Sequence, residues 1–127
     1  MQSDQTLQLS GKRILLVEDE YYIADDVRRT LNAAGAEVVG PFASVAKANE
    51  ALDEGDFDCA VIDLNLHGES AAPIADRLID EGRSFAIATG YGSRAVPDRF
   101  QKVPRIEKPF SPPALLKLMG QLAAAHD

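Results

Sequence analysis

Several features that would each indicate a particular class of protein are scarce in this chain. The one cysteine, Cys59, cannot form a disulfide within the chain, which fits a reducing cytosol. Because Cys59 lies in an apolar run, we expect it to be a small core residue. Lysine and arginine number 13 against 20 acidic residues, and the net charge is -7. This balance argues against binding to nucleic-acid backbones or anionic membranes and favours cations and basic protein surfaces.

Long apolar runs are missing as well. No stretch approaches the length of a membrane span, and residues 1–10 lack the basic start and apolar block of a signal peptide. We therefore expect a soluble, cytoplasmic protein. The 127 residues, of which 46% are hydrophobic, suffice for one domain with a sizeable core. Residues 1–10 are polar and patternless, so we expect a flexible tail there and a single domain over 11–127.

Short apolar runs alternate with amphipathic segments along that domain. The amphipathic segments repeat apolar residues at three- and four-residue steps and carry helix start or stop residues such as Ser44, Gly55 and Ser111. In the third of them Ile79 is predicted to face the core. Because parallel neighbours need long crossovers, this alternation predicts an α/β fold, a doubly wound five-stranded parallel sheet with helices on both faces. The predicted strands are 14–17, 37–40, the run that ends at Asp63, 84–89 and 105–107, and the predicted helices are 21–34, 44–55, 73–82 and the segment after 111.

The fourth crossover departs from this regularity. Residues 91–102 contain Gly92 and an interior Pro97, which allow at most a short or broken helix. We expect this segment to be mobile.

Polar residues suited to phosphoryl chemistry stand at the ends of the predicted strands. Glu18 and Asp19 follow the first strand, Asp63 closes the third, Thr89 closes the fourth and Lys108 follows the fifth. The carboxyl ends of parallel strands gather along one edge of the sheet, so these five side chains are expected to converge. Convergence of groups so distant in sequence predicts a functional site at that edge.

The chemistry of the five groups is complementary. Carboxylates within a few ångströms of one another repel by roughly 1 to 4 kcal/mol per pair, and a bound divalent cation relieves that repulsion. Oxygen ligands beside a phosphoryl group suit Mg²⁺. Lys108 adds a positive charge and Thr89 a hydroxyl donor, which the oxygens of a phosphoryl group require. The site is therefore predicted to be a phosphoacceptor with Asp63 as the nucleophile.

At this point the chain resembles the CheY-like receiver domains of two-component response regulators, over about residues 12–125. The match includes the order and spacing of four motifs. They are Leu16-Val17-Glu18-Asp19-Glu20, Val61-Ile62-Asp63-Leu64-Asn65-Leu66, Ala88-Thr89-Gly90 and Glu107-Lys108-Pro109-Phe110.

The resemblance implies both a fold and a set of roles. The implied fold is the flavodoxin-like sheet with strand order 2-1-3-4-5. Asp63 would be phosphorylated by a histidine kinase or a phosphotransfer protein, and Thr89 and Lys108 would contact the phosphoryl group. The Lys108-Pro109 bond would be cis. The implied Mg²⁺ ligands are Glu18, Asp19, Asp63 and the backbone carbonyl of Asn65.

Two residues depart from the receiver pattern. Arg105 occupies the position on the fifth strand where many receivers carry an aromatic switch residue, so a different relay is needed. His67 replaces a common proline in the loop after Asp63 and is expected to be exposed and without a role. Separately, residues 87–92 resemble the Phe-Ala-Thr-Gly-Tyr motif of a subgroup of mostly single-domain receivers, with Ile87 in place of Phe. Tyr91 in that motif is the nearest aromatic able to report on Thr89.

The resulting hypothesis is a stand-alone receiver, a switch that signals through protein contacts and catalyses no turnover of small molecules. The segment 91–102, the fifth strand and the last helix are the expected partner surface. A phosphate sink or relay intermediate would use the same site, and sequence leaves that alternative open. A constitutive binding module would have lost the acids. A phosphatase-like hydrolase would need an acid two residues after Asp63, where this chain has Asn65.

Overall fold

A computed structural model describes residues 8–90 and 96–126, with the side chains of 125 and 126 left aside. Its central sheet consists of five strands, β1 (Arg13–Val17), β2 (Glu37–Phe42), β3 (Cys59–Asp63), β6 (Phe85–Thr89) and β7 (Arg105–Glu107). A separate antiparallel hairpin consists of β4 (Asn65–Leu66) and β5 (Glu69–Ser70). The five strands of the central sheet are parallel, in the order β2-β1-β3-β6-β7, so the predicted doubly wound fold is confirmed.

Four α-helices in the described residues cover the two faces of the sheet, and two of them begin at a predicted serine cap. The Ser44 hydroxyl accepts a hydrogen bond from the Lys47 amide, and the Ser111 hydroxyl accepts one from the Ala114 amide. The helices are α1 (Tyr21–Ala33), α2 (Val45–Glu54), α3 (Ala72–Asp80) and α4 (Pro112–His126).

The sheet separates two hydrophobic clusters. Ile14 and Leu16 of β1 pack into the cluster that includes α1 and α4, whereas Leu15 and Val17 pack into the cluster with α2 and α3. This alternation follows from the two-residue period of a strand, and it buries the central strands on both faces. The carboxyl ends of those strands are thereby held in a rigid frame.

Three details correct the sequence-based expectations. β2 continues through Pro41 to Phe42, because an edge strand tolerates a proline that cannot donate to a ladder. Ile79 is 45% exposed, since three other residues of α3 already fill its inner face. Leu9 is fully buried in the cluster that includes α1 and α4, and its amide donates to the Ala34 carbonyl, so the packed domain begins before residue 11. Residues 1–7 lie outside the described part of the chain.

The fourth crossover contains only a short 3₁₀ turn, Asp98–Phe100, in its described part, 96–104. The first half of the segment that the sequence predicts to be mobile, 91–95, lies outside the description, and so does Tyr91. The other half packs against the core, because Val96 is buried and Phe100 is fully buried.

None of the helices in the described residues combines the length and the hydropathy that a bilayer span requires.

Candidate functional site

The five predicted residues meet at the carboxyl edge of the sheet. Asp63 and Thr89 are the last residues of β3 and β6, Glu18 directly follows β1, and Lys108 directly follows β7. Registry brings these ends together, since Asp63 pairs with Ala88 and Thr89 pairs with Glu107 across neighbouring strands. A cleft of about 540 Å³ opens there, and its lining includes Asp19, Asp63, Thr89 and Lys108.

The Lys108 ammonium bridges two of the three acids. Its Nζ lies 2.6 Å from Asp63 Oδ2 and 2.9 Å from Glu18 Oε1, while Glu20 Oε1 is 3.9 Å away. The exposed fraction is 11% for the Lys108 side chain, 13% for Asp63 and 2% for Glu18. Charge-assisted hydrogen bonds in such a sheltered place are screened much less than those on a surface. Lys108 therefore holds Glu18 and Asp63 together.

For both Glu18 and Lys108, burial and ion pairing shift the pKa in opposite directions. For Glu18, burial raises the pKa, and the hydrogen bonds from Lys108 and from the Glu20 amide offset that only in part. For Lys108, burial lowers the pKa, but hydrogen bonds to Asp63 and Glu18 outweigh it, so the pKa is raised above its usual value. Lys108 is therefore a permanent cation at neutral pH.

A second contact reaches the remaining acid, Asp19. His67 Nδ1 lies within hydrogen-bonding distance of Asp19 Oδ2. The Asp19 side chain is only 6% exposed, whereas His67 is 79% exposed. The imidazole thus reaches in from the rim of the cleft.

The loop after Asp63 is shaped by its own hydrogen bonds. The Asn65 amide donates to Asp63 Oδ1 at 2.9 Å, and the Gly68 amide donates to Asn65 Oδ1 at 3.0 Å. Both oxygens of the Asp63 carboxylate consequently have a donor, Asn65 on one side and Lys108 on the other. The carboxylate is fixed at the mouth of the cleft.

Thr89 contributes a hydroxyl that is ready to donate. The residue is 8% exposed, and Thr89 Oγ1 has no hydrogen-bond partner among the described residues. A buried hydroxyl without a partner is costly, so Thr89 Oγ1 is available to donate to a group bound in the cleft. The adjacent backbone is firmly held, because the Lys108 amide donates to the Thr89 carbonyl at 2.7 Å.

The three acids fit a divalent cation. One oxygen from each of Glu18, Asp19 and Asp63 lies within 4.8 Å of the others. Carboxylate oxygens at that spacing match the ligand type that Mg²⁺ prefers. The resemblance also assigns the Asn65 carbonyl, which stays a prediction, although Asn65 lines the cleft. The Lys108-Pro109 bond is cis, as the resemblance implies.

Two neighbours of the site escaped the sequence-based selection. Glu20 belongs to the first receiver-like motif, residues 16–20, yet its position near Lys108 depends on how the chain turns into α1. His67 was expected to have no role, yet it contacts Asp19. The sequence does place His67 four residues after Asp63, which could have suggested that it lies near the site. The direction in which its imidazole points is set by the hairpin, and the sequence does not reveal it.

The expected output surface is described only in part. The Arg105 guanidinium donates to Gln101 Oε1 at 3.0 Å, which connects β7 to the 96–104 segment. Tyr91 and Gly92 of the subgroup motif lie outside the described residues, so membership of that subgroup stays a prediction.

Several solved structures are similar to this chain in both sequence and fold. The solution structure of SdrG from Sphingomonas melonis Fr1 is 34% identical, with a TM-score of 0.79 over 87% of this chain and 95% of that one. A response regulator receiver protein from Sinorhizobium medicae WSM419 is 30% identical, with a TM-score of 0.76 over 94% and 99%. The BeF3-activated conformation of SdrG is 33% identical, with a TM-score of 0.74 over 92% and 98%. No family model matches the chain, and no curated protein does.

Proposed function

The chain belongs to the response regulator receiver domains, and from this premise we propose that it is a switch controlled by phosphorylation of Asp63. The observation that carries the proposal is the Asp63 carboxylate at the mouth of the cleft, 2.6 Å from Lys108 and close to the unpartnered Thr89 hydroxyl. A nucleophile, a cation and a hydroxyl donor in one sheltered cleft are the parts that phosphoryl transfer needs.

In the proposed reaction a phosphohistidine on a histidine kinase or a phosphotransfer protein supplies the phosphoryl group. An Asp63 oxygen attacks phosphorus, the phosphorus–oxygen bond forms, and the phosphorus–nitrogen bond breaks to release the imidazole. Lys108 leaves the Asp63 oxygen and follows the negative charge onto the phosphoryl oxygens, and the Thr89 hydroxyl donates to another of them. Attack of water on phosphorus then breaks the bond between phosphorus and the Asp63 oxygen, which releases inorganic phosphate and restores the carboxylate. Because Thr89 and Lys108 would contact the phosphoryl group in both steps, the protein would assist its own phosphorylation and dephosphorylation.

Glu18, Asp19 and Asp63, with the Asn65 carbonyl, would hold Mg²⁺. When bound, the ion offsets negative charge that gathers on the transferred group. Asn65 lies two residues after the nucleophile and carries no carboxyl group that could act as an acid or base. We therefore propose no turnover of small phosphate esters.

Output would pass through protein contacts. Phosphorylation adds up to two negative charges beside Thr89 and Lys108 and would bias an equilibrium between two conformations. The Arg105 contact with Gln101 offers a connection from β7 to the fourth crossover, in place of the usual aromatic relay. The partner surface would comprise the 91–102 segment, β7 and α4. A pull-down with and without beryllofluoride distinguishes this from a sink, because a sink has no partner that prefers the activated form.

The test of the site itself is Asp63→Asn. The parent chain should gain the mass of one phosphoryl group from acetyl phosphate with Mg²⁺, and Asp63→Asn should gain none, because an amide is not a nucleophile. Asp56→Asn is the matched control, since Asp56 is an exposed acid paired with Arg13 away from the cleft. Equal phosphorylation of Asp63→Asn and the parent, read by intact-protein mass spectrometry, would refute the assignment.

A further inference from the structure

We propose that His67 is a positioning residue for the divalent-cation site, because it fixes the carboxylate of Asp19. The inference rests on the proposed function, since it concerns the magnesium site of the phosphoacceptor. It assigns a role to a side chain that the receiver pattern leaves without one.

The three acids of the cluster have different partners. Lys108 reaches Glu18 and Asp63, and Asp19 is paired instead with His67. Among the described residues, no other side chain is found within hydrogen-bonding or ion-pair distance of the Asp19 carboxylate. The imidazole thus sets the direction in which a 6% exposed carboxylate points.

The hairpin holds His67 in place, although its side chain is largely exposed. His67 and Gly68 form the two-residue turn between β4 and β5, with φ angles of 50° and 84°. Leu66 is buried, and the Glu69 carboxylate accepts a hydrogen bond from the Val45 amide of α2 at 3.3 Å. The turn is therefore anchored on both sides, and the imidazole projects from fixed backbone.

The turn places a residue that has a Cβ in the left-handed region. Two positive φ angles define the type of turn that favours Asn-Gly or Gly-Gly, and any side chain at the first position costs conformational energy relative to glycine, although histidine tolerates positive φ better than most residues. A side chain that gains a contact from that position compensates for this cost. Nδ1–H donation needs only the neutral imidazole in the matching tautomer, so the contact does not depend on a charged histidine.

Hydrogen bonds to ligating carboxylates orient them for the metal, and loss of such a partner typically weakens metal binding by about 10- to 100-fold. Without His67, the Asp19 carboxylate would keep no side-chain donor among the described residues, beside two acids that Lys108 already holds. His67 thus acts through Asp19, and it is separate from the groups that contact the phosphoryl group.

The experiment is a Mg²⁺ titration followed by amide chemical shifts, on the parent, His67→Ala, His67→Gly and His67→Asn. The alanine and glycine variants lose the donor and should bind Mg²⁺ about tenfold more weakly. Asparagine suits the turn and keeps a donor near the Nδ1 position, so it should stay within about threefold of the parent. Urea unfolding without Mg²⁺ is measured in parallel, and it should not follow the order of the Mg²⁺ affinities.

The glycine variant separates side-chain from backbone effects, because glycine adopts φ of 50° without strain. Parent-like affinity in both His67→Gly and His67→Ala would overturn the positioning role, and so would an asparagine variant as weak as alanine. Asp19→Asn is titrated alongside. If the parent and Asp19→Asn bind Mg²⁺ equally, the proposed magnesium site itself fails; if only Asp19→Asn is impaired, the role of His67 fails alone.

Discussion

At the scale of single residues, Cys59 shows how the fold controls a reactive group. Its side chain is fully buried in β3, and burial, with a smaller contribution from the charge of Asp58, raises the pKa of the thiol to about 12. Thiolate is the reactive form, so the native protein at pH 8 should resist alkylation by iodoacetamide, and unfolding in urea should expose the thiol to it. Intact-protein mass spectrometry over time measures both. Labelling of the native protein as fast as a free thiol would contradict the expected burial.

Residue type and position along the chain were enough to select Glu18, Asp19, Asp63, Thr89 and Lys108, because each closes a predicted strand or lies just beyond one. The contacts among them were not predictable in the same way. Which acid Lys108 reaches depends on strand registry, and the contact of His67 with Asp19 depends on two positive φ angles in a short turn. Sequence periodicity carries no information about either.

At the scale of elements, the 3₁₀ turn Asp98–Phe100 is attached to the domain by two kinds of contact. Arg99 forms a two-point ion pair with Asp76 of α3, at 2.8 and 3.0 Å, but both side chains are about half exposed. Phe100 is fully buried. Substitutions of Arg99 and Phe100 can therefore show whether the ion pair or the buried ring holds the 3₁₀ turn in place.

We expect Phe100→Ala to lower the free energy of unfolding by about 3 to 5 kcal/mol, because it leaves a cavity in the core. Arg99→Ala should cost about 0.2 to 1 kcal/mol, since exposed ion pairs are weak in water. Urea unfolding followed by circular dichroism measures both, and Asp76→Asn serves as the matched test of the ion pair. A larger effect of Arg99→Ala than of Phe100→Ala would mean that the ion pair is the anchor.

Elements that follow a regular pattern were predictable, and those set by long-range contacts were not. Ser44 and Ser111 mark helix starts because the capping bond is local. No local sequence pattern predicts that Leu9 is buried, because its hydrogen-bond partner Ala34 follows the far end of α1. The β4–β5 hairpin was overlooked because each strand has two residues, too few for a period to show.

At the scale of the whole molecule, the sheet gathers like charges at one edge of a chain that is already acidic. The parallel arrangement delivers Glu18 and Asp63 from neighbouring strands to the same point, and one ammonium from β7's end compensates them. A divalent cation bound as proposed would stabilise the same cluster that Lys108 stabilises. The stability of the fold and the binding of the ion would then be coupled.

Lys108→Ala tests this coupling. Removing one partner of a buried ion pair leaves uncompensated charge, and in the absence of Mg²⁺ we expect the free energy of unfolding to fall by about 3 kcal/mol. If Mg²⁺ binds the folded cluster as proposed, it should stabilise the variant more than the parent, because no ammonium competes for the acids. Lys102→Ala is the control, since Lys102 is exposed and outside the cleft. Urea unfolding with and without Mg²⁺ measures the difference; equal stabilisation of Lys108→Ala and the parent by Mg²⁺ would show that the ion and the lysine act on separate groups.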